Sequence, residues 1–381
     1  MSKENSKQKR ILEKLEKYRK KDFSYKDGNI LGSMCTEPYP IAKKAYIKFL
    51  ETNLGDPELF PGTKKMESDL INFIAKILHA PKKATGIITN GGTEGNITAI
   101  WLAKSKKQKN EIIVPESSHF SFKKIASLMN IKLKTVPLNN KFQMDIKKFK
   151  KKITNQTAAV VGIAGTTELG TIDPIPKLSE ICEEKNIFLH VDAAFGGFVI
   201  PFLKKNVSNF DFKLKGVDSI SLDAHKMGYS AIPLGFLMIR NKNLLNEISV
   251  ESFCVSTSRQ AGLSGTRSGG PVAAAYAVSQ YLGIKGYKKV VDSCMKNTYH
   301  LYKKIKDIGL NTKIEPSMNV LAVKMKKPKQ IERMLSKKGW KVNTMDRISC
   351  IRIVIMPHVT NKVIDRFVPD LENVCKRAGE I

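Results

Sequence analysis

Arginine is scarce in this chain: 10 residues stand beside 55 lysines in a total of 381. Arginine is the side chain suited to bidentate contacts with phosphates and base edges. Its scarcity argues against a dedicated nucleic-acid binder, although a formal net charge of +30 points that way. The lysines run from end to end, clustering at 104–109, 147–152 and 324–329. Such a field draws anionic substrates without selecting among them. Paired cysteines are also missing. Cys35, Cys182, Cys254, Cys294, Cys350 and Cys375 form no CxxC pair and no zinc spacing. The six histidines form no HExxH, so reduced thiols and no metal site are expected. No run approaches the roughly 18 unbroken apolar residues of a membrane helix. Residues 1–21 are charged throughout and carry no apolar signal core. Together these absences predict a cytoplasmic protein with no membrane span. Walker and GxGxxG loops are absent as well, which disfavours nucleotide binding.

What the chain does have is a set of short apolar runs, each ending in polar residues. Ile187 to Val191 ends in Asp192, and Val217 to Leu222 ends in Asp223-Ala224-His225-Lys226. Lys226 follows Asp192 by 34 residues. A lysine at a strand end inside a pocket can form a Schiff base with an aldehyde. An aspartate at a neighbouring strand end can hold a ring nitrogen protonated. Pyridoxal phosphate needs both groups, because the protonated pyridine is its electron sink. Two further runs strengthen the reading. Thr85 to Ile88 leads into Thr89-Asn90-Gly91-Gly92-Thr93, just before a helical stretch, an arrangement that makes an anion site. Glu111 to Pro115 leads into Ser117-Ser118-His119, whose imidazole can stack on a flat heterocycle. A last run, Val160 to Ala164, ends in Gly165-Thr166-Thr167. Polar residues gathered at successive strand ends mark the ligand edge of an open α/β sheet.

The periodicities organise the chain around that sheet. Strands are expected at 86–89, 111–114, 132–136, 158–163, 187–191, 218–222 and 235–239, with helices between most of them. Seven strands with crossovers imply a mostly parallel, doubly wound sheet. Residues 6–20 read as an amphipathic helix, and residues 22–60 as an irregular arm over the active site or a dimer seam. Helices are expected at 269–282 and 287–308, followed by a β-α-β-α pattern from Met318. This divides the chain into an N-terminal helix and arm (1–60), a large domain (61–290) and a small C-terminal α+β domain (291–381). Residues 246–268 read as a mobile loop.

The motifs GGTEGN, SSHFSF, GIAGTTELGTIDPI, HVDAAFGG and SLDAHKMG resemble those of the group II pyridoxal-phosphate decarboxylases. Flanking stretches at 27–35, 51–57 and 351–358 are most similar to the archaeal L-tyrosine/L-aspartate decarboxylase family. The resemblance covers all but about the first 20 residues. It implies the aspartate-aminotransferase-like architecture of fold type I, normally a homodimer. It also implies α-decarboxylation of tyrosine to tyramine, for methanofuran biosynthesis, or of aspartate to β-alanine, for coenzyme A biosynthesis.

On this reading Lys226 carries pyridoxal 5'-phosphate, Asp192 pairs with its ring nitrogen and His119 stacks on its face. Gly92 and Thr93, with hydroxyls near Lys226, hold the phosphate, and Thr167 is a further cofactor-binding residue. His225 helps position the substrate carboxylate, and Arg352 is a candidate for binding that carboxylate or a second one. Met34, Phe60, Tyr25 and Phe253 are candidates for an apolar substrate slot. Related decarboxylases commonly use a mobile-loop tyrosine to protonate Cα, but residues 246–270 contain none. Cys254 and Tyr229 are the candidate replacements. Three alternatives remain at this stage: a cysteine desulfurase-like or tRNA-dependent cysteine-forming enzyme, an aminotransferase or carbon–carbon lyase on the same scaffold, and a basic nucleic-acid-binding protein on the same fold.

Overall fold

The computed structural model describes residues 3–204, 208–252 and 259–381. The chain opens with helix α1 (Lys3–Arg19), α2 (Pro40–Lys48) and α3 (Pro61–Ile77). Both α2 and α3 begin with proline, whose fixed φ suits a first helical turn. Strands and helices then alternate: β1 (Thr85–Thr89), α4 (Gly92–Lys107), β2 (Glu111–Pro115), α5 (Ser121–Leu128), β3 (Lys132–Val136) and α6 (Ile146–Lys152). Next come β4 (Thr157–Ile163), α7 (Ile175–Glu184), β5 (Phe188–Asp192), β6 (Val217–Asp223) and β7 (Gly235–Ile239). A small hairpin pairs β8 (Val250–Glu251) with β9 (Arg259–Gln260).

The large sheet has the order β1-β7-β6-β5-β4-β2-β3, and only β7 runs against its neighbours. The mostly parallel seven-stranded sheet expected from the sequence is therefore present, each strand within a residue or two of its expected bounds. Strands β2, β4, β5 and β7 are buried at every position. That is why they read as continuous apolar runs rather than alternating ones.

Helix α8 (Gly269–Asp307) carries the chain out of the sheet. The two helices expected there join at Gly283, whose φ of 53° and ψ of −171° break the helical path. A left-handed φ of that kind favours glycine. The chain ends with β10 (Val320–Lys324), α9 (Pro328–Lys337), β11 (Asn343–Met345), β12 (Cys350–Val354) and α10 (Asn361–Ala378). The antiparallel sheet β10-β12-β11 packs with α9 and α10 around a second apolar core.

The arm corrects the sequence reading in part, because residues 40–48 form a helix that packs along α8. The segment before it is pinned to the C-terminal sheet. Val354 N–H donates to Leu31 O at 2.7 Å, and Gly32 N–H donates to Lys341 O at 2.7 Å. His358 closes the strap, with its ring nitrogens 2.8 Å from Ile30 O and 2.9 Å from Thr36 Oγ1. This strap sets Met34 over the carboxyl ends of the large sheet. Among the described residues, no helix is long and apolar enough to cross a membrane.

Candidate active site

One cavity of about 240 Å³ lies where β1, β2, β4, β5 and β6 end. Its wall carries Lys226, Asp192, His119, Gly92, Thr93 and Thr167, which the sequence assigned to the cofactor, and His225, which it assigned to the substrate carboxylate. At the end of β1, Gly91 takes φ 127° and ψ 178°, a region essentially restricted to glycine. Gly92 then opens α4, so the free N–H groups and positive dipole end of its first turn lie beside the cavity. A Cβ on Gly92 would stand 2.9 Å from Ala194 Cβ. The helix start can therefore approach the sheet only because that side chain is missing.

Asp192 is the last residue of β5 and is buried. Its Oδ1 accepts the Ala194 N–H at 3.0 Å, and its Oδ2 accepts Asn96 Nδ2 at 2.8 Å. Asn96, on α4, is itself held from behind. Its Oδ1 accepts Ser221 Oγ at 2.8 Å and lies 2.9 Å from His190 Nε2, while His190 Nδ1 lies 2.9 Å from Ser219 Oγ. Because Asn96 Oδ1 can only accept, His190 must donate from Nε2 and receive at Nδ1. This fully partnered network fixes which face of Asn96 meets Asp192. The sequence reading missed it, since its members lie far apart along the chain.

The network yields a prediction for stability. Burial pushes the His190 pKa down to about 4, from an ordinary 6.5. A depressed folded value means full stability above about pH 6.5 and a loss as pH falls toward 4. In His190→Gln the amide keeps a donor near Asn96 Oδ1 but cannot titrate. Over that interval the variant should lose less stability than the parent, by on the order of 3 kcal/mol. Asp173 and Asp218, both raised by burial to about 6, act in the opposite sense but equally in the two proteins. Denaturant unfolding of both proteins near neutrality and near pH 4.5 gives the comparison. Equal losses would show that His190 takes up a proton inside the fold.

His119 receives the Ser121 N–H on Nδ1 at 3.2 Å, which leaves the ring proton on Nε2. Burial lowers its pKa, opposed by the charge of Asp192. The result is a neutral, flat ring at the cavity wall, suited to stacking. His225 sits with Nδ1 2.8 Å from Leu234 O and Nε2 3.8 Å from Asp223 Oδ2. Lys226 places Nζ 2.8 Å from Asp223 Oδ2. The sequence reading left Asp223 out, although it stands in the same motif three residues before the lysine.

These residues fit pyridoxal phosphate. The cavity joins a buried lysine, a carboxylate on a separate strand, a neutral imidazole and a helix start flanked by glycine and threonine. Two buried polar atoms of its lining residues, Ser117 Oγ and Asp223 Oδ1, have no hydrogen-bond partner. Bare buried polar atoms are uncommon and costly, as expected where a polar ligand belongs.

The substrate candidates fall in different places. Tyr229 does not line the cavity. A left-handed turn at φ 61° carries its ring onto Tyr39, with centroids 5.5 Å apart, and burial pushes its hydroxyl pKa up. Arg352 is buried but also lies outside the lining. Its guanidinium donates to Thr167 O at 2.9 Å and Gly32 O at 2.5 Å, so it ties the strap to the β4 loop rather than pairing with a carboxylate. Of the proposed slot residues, Met34 lines the cavity while Tyr25 and Phe60 do not. Phe253 and Cys254 lie outside the described residues.

Comparison with known proteins agrees with this geometry. Residues 48–324 match the pyridoxal-dependent decarboxylase conserved domain. A probable L-tyrosine/L-aspartate decarboxylase of Methanothrix thermoacetophila is 44% identical over 366 residues, covering 96% of this chain and 94% of that protein. A probable L-aspartate decarboxylase of Archaeoglobus fulgidus is 43% identical, with 96% and 100% covered. Among solved structures, the sphingosine-1-phosphate lyase of Burkholderia pseudomallei superposes with a TM-score of 0.90 at 26% identity, covering 97% of this chain and 91% of that one. Glutamate decarboxylase of Lactobacillus brevis superposes with a TM-score of 0.88 at 21% identity, covering 98% and 93%, a likeness of fold.

Proposed function

Because the chain belongs to the pyridoxal-dependent decarboxylase family, we propose that it removes the α-carboxyl group of L-tyrosine and L-aspartate, forming tyramine and β-alanine. The observation that carries this reading is the meeting of Lys226, Asp192, His119 and the Gly91–Thr93 turn in one cavity. Similarity to archaeal relatives named for those two substrates supports the choice of amino acid. Within the described cavity lining, Lys226 is the only lysine or arginine, while Met34, Ile163 and Phe195 supply apolar surface. That balance favours the phenol of tyrosine over a second carboxylate, so tyrosine is the better substrate.

Bound pyridoxal phosphate supplies the sink for the electron pair left on Cα when carbon dioxide departs. The chain's own residues do the rest. Lys226 would hold the aldehyde carbon of the bound cofactor. Asp192, oriented by Asn96, keeps a proton on the ring nitrogen. His119 covers the ring as an uncharged face, and the first turn of α4 with Thr93 holds the phosphate. Met34, on the strap, helps keep water from the reacting carbon.

We also infer a homodimer working in the cytoplasm. Helix α1 leaves Ile11, Leu12, Leu15 and Tyr18 more than half exposed, and Ile47 on α2, Leu50 in the turn after it and Tyr281 on the packed helix α8 are bare as well. A second copy would cover such surface. The five described cysteines are unpaired thiols, in keeping with a reducing compartment. The test is amine and carbon dioxide release from a panel of amino acids, using protein whose mass is measured by sedimentation. Tyramine should form fastest and β-alanine more slowly, from a species of twice the chain mass. Release from glutamate or diaminobutyrate alone would refute the substrate assignment, and a monomer with full activity would refute the dimer.

A further inference from the structure

Asp223 is 2% exposed and stands at the end of β6, with Oδ2 on Lys226 Nζ at 2.8 Å. Its other oxygen, Oδ1, is buried without a hydrogen-bond partner. Glycines make the space for this carboxylate. A Cβ on Gly235 would lie 2.6 Å from Oδ1, one on Gly92 3.3 Å from Oδ2, and one on Gly91 3.8 Å from Oδ1. Two segments, the turn after β1 and the start of β7, thus withhold side chains around a single carboxyl group.

The ion pair holds Lys226 as an ammonium. Burial alone would lower its pKa, but the charge and hydrogen bond of Asp223 more than reverse this, with Asp192 and Cys35 adding in the same direction. His119 and His225 are the other titratable groups at the cavity wall. An ammonium has no lone pair and cannot attack an aldehyde. A base must first take its proton. His225 Nε2 is 3.8 Å from the same Asp223 oxygen, beyond hydrogen-bond reach, and Nδ1 of that ring is at Leu234 O.

We propose that Asp223 is the proton acceptor that arms Lys226 for cofactor capture and then returns the proton to the oxygen that leaves as water. The proposal rests on Lys226 being the cofactor lysine. In the first step an Nζ–H bond breaks and the proton moves to Asp223 Oδ2. The freed lone pair forms an N–C bond to the aldehyde carbon, while the C=O π pair moves to oxygen. One nitrogen proton and the proton held by Asp223 then join that oxygen, which leaves as water. Asp223 is an anion again, and a single proton remains on the carbon–nitrogen double bond. Nothing is oxidised or reduced.

The test follows capture by the full-length chain stripped of cofactor. It is mixed with pyridoxal phosphate between about pH 6 and 9, a range chosen to span the ordinary histidine value and approach that of lysine. Capture is read by the rise of visible absorbance and by borohydride trapping with peptide mass analysis. The parent should show a nearly flat rate, because the proton is passed within the pair. In Asp223→Asn the proton must go to solvent, so the rate should rise by up to about tenfold per pH unit and lag the parent at least about tenfold near pH 6. Asp192→Asn should retain the flat profile.

A flat profile in Asp223→Asn, or a slope that appears in Asp192→Asn instead, overturns the proposal. A parent rate that already climbs about tenfold per pH unit overturns it without any variant, so the test survives a misfolded Asp223→Asn. Trapping on a lysine other than Lys226 would instead defeat the underlying reading of the site.

Discussion

In Lys226→Ala, decarboxylation should fall by at least about three orders of magnitude, and pyridoxal phosphate should leave on dialysis. Within the described cavity lining there is no second lysine to take over the bond to the aldehyde. The substitution has a second consequence. It strands the buried Asp223 carboxylate, whose Oδ1 already lacks a partner. Removing one member of a buried ion pair typically costs about 3–5 kcal/mol, so the variant should also melt earlier. Lys226→Met carries both effects without the cavity that alanine leaves. It fills more of the space, but it cannot bond the aldehyde or neutralise Asp223. Both variants should resist borohydride trapping equally, with the methionine form the better packed. Undiminished turnover in either would end the assignment of Lys226.

The parts legible in the sequence were those that local pattern determines. Buried parallel strands read as continuous apolar runs, and each run stops where the chain turns toward the cavity. Asp192, His119, Gly92, Thr93, Thr167 and Lys226 could be placed because each closely follows such a stop. What escaped depends on contacts between distant residues. Asn96 reads as an ordinary helix position, and only the fold brings its side chain to Asp192 and to Ser221, 125 residues away. Asp223 reads as a polar strand end, and its ion pair follows from the turn that brings Lys226 back over it. Tyr229 lies close to Lys226 in sequence, but its left-handed backbone carries it away from the cavity. Strand β11 is only three residues long and has no apolar run to announce it. Arg352 sits in an apolar strand of the small sheet, so its reach to Gly32 and Thr167 depends on how the strap threads across that sheet.

Asp192→Asn should lower kcat by at least about two orders of magnitude while weakening cofactor binding much less. On the proposed assignment, removing the charge takes away the group that keeps the ring nitrogen protonated. In a buried site that contact is worth more than in water. Local hydrogen bonding deepens the loss. Both oxygens of Asp192 accept from fixed donors, the Ala194 N–H and Asn96 Nδ2. An asparagine must turn its own NH2 toward one of them. Asn96 cannot flip to relieve that clash, because its Oδ1 is committed to Ser221 and His190. The variant therefore has a misdirected amide as well as a missing charge. Cofactor affinity should survive better, since the proposed phosphate site at the start of α4 and the proposed bond to Lys226 are untouched. Equilibrium titration with pyridoxal phosphate, alongside kcat at saturating cofactor, separates the two quantities. An unchanged kcat would mean that some group other than Asp192 holds the ring proton. Parallel losses in affinity and kcat would mean that Asp192 anchors the cofactor rather than activating it.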